Sequence, residues 1–437
     1  MWFENACVYH IYPLGYCGCE KQNSYTGGEN RLAVIENNIE HIKSMGFNTI
    51  YFGPVFESVA HGYDTVDYTK IDSRLGTNED FARLCKKLHE NGIKVVLDGV
   101  FNHVGRDFGK FKELREGNWG YRDWFHVHDG NSCYNDGFYY EGWEGHYELV
   151  KLNLYNPAVK EYIKQCITGW VNEFEIDGLR LDVAYCLDLN FLKELRGHCK
   201  WLKEDFWLMG ETLHGDYNKW MNNEMLDSVT NYECYKGLFS SFNDMNMFEI
   251  AHSLHRQFGG ESWSLYNNKL LYTFVDNHDV SRIATMLNNK KHVPIIYPLL
   301  FTMPGIPGVY YGSEYGIEGD KRSGDDALRT AWDGEGFKNN GLCDLTELIG
   351  KLCKLRSESK ALAHGSFKNL QLTNRQYSFR RDADGETLVL MINIDENSFD
   401  MNINIGGEFT DILTGEPVNL SAPVHMDGYS VKIAVSK

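Results

Sequence analysis

Residues 159–211 read VKEYIKQCITGWVNEFEIDGLRLDVAYCLDLNFLKELRGHCKWLKEDFWLMGE. Apolar side chains recur at helical spacing in VKEYIKQCITGWVNEF (159–174) and again in FLKELRGHCKWL (191–202). Each of these runs is followed by a short, apolar, β-rich segment, GLRLDVA (178–184) and FWLMGE (206–211). Strands joined through helices return in the same direction, because an antiparallel neighbour needs only a tight turn. The stretch therefore predicts an α/β fold with a parallel sheet.

The same rhythm extends in both directions. Upstream lie VYHIYPLG (8–15), a helix near 31–45 closed by Gly46, NTIYFGPV (48–55), a helix at 78–91 after Thr77, and KVVLDGV (94–100). Downstream lie SVTNYE (228–233), LYTFVDNHD (271–279) and GVYYGSE (308–314). Eight strand-like segments in this length suggest a (β/α)8 barrel, with an open doubly wound sheet as the alternative. Residues 1–103 and 151–360 form the expected barrel. The stretch 104–150, rich in Gly, Asn, Asp, Trp and Tyr, breaks the rhythm and is expected to be an inserted loop domain. From 361 to 437, alternating segments such as QYSFRRD and TLVLMINI, with turns at Ala383-Asp384-Gly385 and Gly406-Gly407, predict a C-terminal antiparallel β-sandwich.

Composition narrows the partners. The 437 residues are 43% apolar and carry a net charge of −18, so nucleic acid and anionic membranes are disfavoured. No segment approaches a membrane span. Eleven cysteines without a C-x-x-C pair read as free thiols rather than a zinc site or disulfide framework. With no basic, apolar leader at the start, the expected location is the cytoplasm. The dense aromatics, 26 Tyr, 24 Phe and 10 Trp, serve core packing, and some suit the apolar faces of pyranose rings.

Polar residues gather at the carboxyl ends of the predicted strands, where barrel enzymes build their sites. DGVFNH supplies Asp98, Asn102 and His103; GLRLDVA supplies Arg180 and Asp182; GET supplies Glu211; DNHD supplies His278 and Asp279. Alone, each reads as a structural ion pair. Together, three acids with an arginine and two histidines at one rim suit glycoside cleavage by a nucleophilic and a proton-donating carboxyl.

In order, DGVFNH, GLRLDVA, GET and FVDNHD resemble the four signature regions of the α-amylase family, glycoside hydrolase family 13. The resemblance spans roughly residues 1–360 and implies a retaining hydrolase of α-linked glucose oligomers. By matching position it implies Asp182 as nucleophile, Glu211 as acid/base and Asp279 as the third carboxylate. Arg180 would keep the nucleophile oriented and ionised, and Asp98 would partner Arg180. His103 and His278 would bind sugar hydroxyls, Tyr63 in HGYDTVDY would stack on the sugar, and Asp325 with Arg329 would bind the neighbouring unit.

KLNLYNP (151–157) and HGYDTVDY resemble the neopullulanase, cyclomaltodextrinase and maltogenic amylase group, without the N-terminal β domain usual there. A monomer or weak homodimer is therefore expected. No cofactor or metal is expected either. Asn102 matches one ligand of the family's calcium, but Tyr155 and Cys186 stand where a carboxylate and a histidine belong, and a thiol is a poor calcium ligand. Asp129, Asn131, Asn135 and Asp136 read as a solvated turn, with a separate cation site as the alternative. Trp119 and Trp143 either pack the insert or stack on an outlying sugar. A 4-α-glucanotransferase using the same acids, a non-catalytic amylase-like subunit, and a metalloenzyme built on His103 and His278 are the competing functions.

Overall fold

A computed structural model describes residues 1–436. Eight parallel strands make one sheet: β1 Val8–Ile11, β2 Thr49–Phe52, β3 Lys94–Gly99, β4 Gly178–Leu181, β5 Trp207–Gly210, β6 Ser228–Val229, β7 Tyr272–Phe274 and β8 Ile306–Tyr310. The spatial order β6-β5-β4-β3-β2-β1-β8-β7 follows the chain around a ring. A single parallel bridge between Thr230 and Tyr272 brings β6 to β7 and nearly closes it. The sheet is thus a barrel and not doubly wound. Its strands are buried along almost their whole length, as expected for a parallel sheet covered on both faces.

Beside the thin seam, a side chain extends the ladder between β5 and β6. The Thr212 amide donates to Thr230 Oγ1 (2.9 Å), and that hydroxyl donates to the Thr212 carbonyl (2.9 Å). The lower barrel is filled by Val8, Tyr51, Val96, Met209, Tyr272 and Ile306. A helical turn, Trp2–Asn5, plugs the bottom by stacking Phe3 on Trp207 with ring centroids 5.5 Å apart.

Several elements differ from their sequence reading in extent. The first strand stops at Ile11 because Pro13 opens a helical turn, Pro13–Tyr16. The sixth spans two residues because Asn231 turns to cap the helix Tyr232–Asn243, accepting from the Cys234 amide. The helix read at 31–45 is two pieces, Ala33–Asn37 and Ile39–Ser44, broken where Asn38 donates its side-chain amide back to the Val34 carbonyl. Gly46 closes it at φ +78°, with Cys353 so near that a Cβ would meet it at 2.9 Å. The helix Asn78–Glu90 begins with a capping box between Thr77 and Asp80.

The inserted stretch holds more regular structure than its composition suggested. His103–Gly105 and Gly142–Trp143 flank His146–Lys151 in a small antiparallel sheet, and Gly109–Arg115 is helical. Phe111, Phe125, Phe138 and Tyr140 pack between them. The tail forms a six-stranded antiparallel sheet and a separate two-stranded one. Its tight hairpin at Asp384-Gly385 uses two positive φ angles, +50° and +86°.

Away from the carboxyl rim, Asp177 precedes β4 fully buried. It accepts from Lys94 (3.0 Å), Lys203, His89 (2.9 Å) and the Val95 amide (2.9 Å), so one acid is shared by several donors.

Candidate active site

The parallel ladder itself assembles the rim. Asp98 and Arg180 are register partners on β3 and β4. Asp182 and Glu211 are the first residues past β4 and β5, and their amides continue the ladders, to the Gly99 carbonyl (3.1 Å) and the Leu181 carbonyl (2.9 Å). Residues 29 positions apart in sequence therefore stand side by side. Arg180 lies at the centre. Its Nη1 donates to Asp98 (3.0 Å) and Asp182 (2.9 Å), and its Nη2 reaches Glu211 Oε2 (2.9 Å). All four are buried.

One cation among three acids leaves negative charge uncompensated. Burial pushes the carboxyls of Asp182 and Glu211 above the usual range, Arg180 pulls both down, and the neighbouring acids add to the rise. The pair titrates as a unit and retains protons that isolated carboxyls would lose. Asp279 behaves oppositely. Burial would raise it, but His278 (2.9 Å), Arg329 (2.9 Å) and Arg180 override that and hold it ionised. Its side chain is also one-third exposed, whereas Asp182 and Glu211 are under one-tenth exposed, so the pocket opens on the Asp279 side.

The remaining rim residues converge as well. His103 Nε2 lies 4.0 Å from Asp182, and its ring is held neutral by burial, with a basicity lowered to about 3. Tyr63 donates to Asp98 (3.2 Å), contacts His278 Nε2 through its hydroxyl, and lies parallel to the His278 ring at 5.6 Å. Arg329 joins Asp279 to Asp325 (3.0 Å) and also donates to the His278 carbonyl (3.2 Å). Asn102 contacts His103 Nδ1 (3.1 Å). Trp143 faces the other side of His103, with centroids 5.7 Å apart, whereas Trp119 is exposed at the far side of the insert against Phe138.

Sequence reasoning missed three contributors. Tyr51 donates to Asp98 (2.8 Å). Tyr12 lies parallel to His278 at 5.9 Å and under the Arg329 guanidinium at 4.7 Å. Val183 adopts left-handed backbone angles (φ 39°, ψ 48°), a strain of about 1–3 kcal/mol for a β-branched residue. That turn aims the Val183 amide at Glu211 Oε2 (2.9 Å). All three fell inside predicted strands, 8–15, 48–55 and 178–184, where nothing set them apart from core residues.

The positions aligned with a calcium site offer poor ligands. Tyr155 brings no carboxylate and is 72% exposed, Cys186 is an exposed thiol, and of the three side chains only Asn102 offers an amide oxygen. These residues do not fit a hard cation. In the acidic turn, Asp136 pairs with Arg106 (2.7 Å) and Ser132 (2.5 Å), and Asn131 bonds Asn135 (2.5 Å). No helix among the described residues is long and apolar enough to cross a membrane.

Comparison with known proteins agrees with this geometry. The α-amylase catalytic-domain model matches residues 11–341. A cyclomaltodextrinase of Thermoanaerobacter pseudethanolicus is 31% identical over 422 residues, covering 90% of this chain and 70% of that protein. An intracellular maltogenic amylase of Bacillus subtilis is 28% identical, covering 96% and 74%. The crystal structure of Ttha1563 from Thermus thermophilus superposes with a TM-score of 0.84 at 27% identity, covering all of both chains. With its barrel and the match over most of its length, the chain belongs to the α-amylase family of glycoside hydrolases.

Proposed function

We propose that the chain is a retaining hydrolase that cleaves α-1,4-glucosidic bonds in maltooligosaccharides, starch-derived dextrins or cyclodextrins, with α-1,6 bonds as a second target to be tested. One observation carries the reading: Arg180 binds Asp182 and Glu211 at once, from the ends of adjacent strands. Two carboxyls so close to one cation suit a double displacement.

Asp182 attacks the anomeric carbon while Glu211 gives its proton to the departing glycosidic oxygen. The bond to the leaving sugar breaks as a glycosyl ester on Asp182 forms. Glu211, now ionised, takes a proton from water, whose oxygen displaces Asp182 and restores the starting state. Arg180 offsets the charge on Asp182 before it attacks and as water displaces it. Asp279, kept ionised, accepts hydrogen bonds from ring hydroxyls, and His103 and His278 flank the same sugar. Tyr63 supplies the stacking face, and Asp325 with Arg329 holds the next unit.

The chain needs no cofactor in this reading, and we place no calcium at Asn102, Tyr155 and Cys186. A monomer or weak homodimer in the cytoplasm fits eleven cysteines without a disulfide among the described residues and a relative named intracellular. Incubation with maltoheptaose, pullulan and β-cyclodextrin, followed by chromatography and proton NMR, tests the whole reading. Shorter products released first as α-anomers are expected. β-Anomers would refute retention, and products longer than the substrate would favour transfer.

A further inference from the structure

His10 lies on β1, beneath the rim and 2% exposed. No role described so far uses it. In register it pairs with Tyr51 on β2 and Tyr310 on β8, and its ring lies against both, at 4.3 and 4.8 Å between centroids. Its third neighbour is His278, met edge to face at 5.1 Å. His10 therefore closes a circuit. Asp98 accepts from Tyr51 and from Tyr63, Tyr63 contacts His278, and His10 joins His278 back to Tyr51.

Within that circuit, two ring nitrogens are buried without a hydrogen-bond partner: His10 Nε2 and His278 Nδ1. An unpartnered buried polar atom is costly, so a matched pair of them on touching rings calls for a reason. The other edge of His278 supplies one. Its Nε2 contacts the Tyr63 hydroxyl, whose own hydrogen goes to Asp98, and lies 2.9 Å from Asp279 Oδ2, so both groups before it are acceptors and Nε2 carries a hydrogen. Where that is the only hydrogen on the ring, Nδ1 is bare, and the group behind it must not impose a proton. His10 meets that condition, since burial first, with Arg180 and Arg282 nearby, keeps its ring neutral against the opposing pull of Asp279.

We propose that His10 is a positioning residue for the hydrolytic reaction, an imidazole that fixes the ring plane and tautomer of His278 so that its Nε2–H stays directed at the Tyr63 hydroxyl and Asp279. It touches no substrate. It acts on the pair that grips the sugar, from the floor of the barrel.

Two substitutions separate this role from mere packing. His10→Phe keeps the ring shape without polar atoms, and His10→Gln keeps a neutral amide. His10→Phe is expected to lower kcat on maltoheptaose about ten-fold or more, with KM little changed and the acid limb of the pH–rate profile displaced. His10→Gln is expected to recover most of that loss. Wild-type kcat and profile in His10→Phe would overturn the proposal, as would equal loss in both variants. A measurement without substrate stands apart from the hydrolase reading and from variant folding. In the wild type at pH 7, 15N shifts should place the His278 hydrogen on Nε2; a hydrogen on Nδ1 would overturn it.

Discussion

Arg180 and Asp177 are the buried hubs of two charge clusters with opposite stoichiometry. At the carboxyl rim one guanidinium serves Asp98, Asp182 and Glu211. Away from it, one carboxylate serves Lys94, Lys203, His89 and an amide. Excess cation stabilises the ionised acid, so Asp177 is held well below the usual range although burial opposes it. Excess acid does the reverse and keeps protons in the rim cluster. Both hubs are buried on the same barrel, although the cations around Asp177 reach solvent. The ratio of partners decides which is a fixed support and which can exchange a proton during turnover.

Replacing the acids tests that difference most severely. Asp182→Asn is expected to lower kcat at least about a thousand-fold while the protein stays folded, since the lost group makes a covalent bond in the reaction. Near-normal turnover would remove the nucleophile from Asp182. Glu211→Gln should lose comparably on maltooligosaccharides but much less on aryl glycosides, whose leaving groups need little protonation. Equal losses on both substrates would count against the acid role.

Asp177→Asn should do the opposite, costing about 3 kcal/mol of stability while kcat at a permissive temperature is unchanged. Because the folded carboxyl is more acidic than the unfolded one, its contribution is present at neutral pH. It fades as pH falls below about 4. Melting curves of wild type and variant should therefore converge in acid.

For Asp182 the sign reverses. Its raised folded value means its contribution is lost as pH rises through that value. Asp182→Asn should then melt above wild type at pH 8, with the gap closing towards pH 4. A variant less stable at pH 8 would show that Arg180 compensates the cluster fully. The smallest effect expected is none: prolonged treatment with EDTA should leave melting and activity unchanged, and a loss restored by calcium would reveal a cation site elsewhere.

Most of the barrel was legible because its strands are short apolar runs between amphipathic helices, and the polar rim residues interrupt those runs at their carboxyl ends. The limits were set by local chemistry that periodicity does not report. Pro13 and the Asn231 cap shortened two strands, and the Asn38 side chain split a helix. At the site, the motifs located the acids, the arginine and the histidines. They did not reveal Tyr12, Tyr51 or His10, because in a strand buried on both faces a polar aromatic aimed inward looks like any core residue. The strained turn at Val183 is a backbone event that a valine gives no reason to expect.

The single bridge between Thr230 and Tyr272 gives the barrel wall an uneven stiffness. Neighbouring strands elsewhere share two to four register pairs, so thermal opening is cheapest at this joint. The Thr230 hydroxyl clasps the backbone beside Glu211, so the joint touches the strand that bears the proton donor. Glu211 itself is moored to the neighbouring strand by four register pairs, and Asp182 stands one strand further from the joint. Both reacting groups thus sit on the stiff arc of the wall, with its one loose stave beyond them.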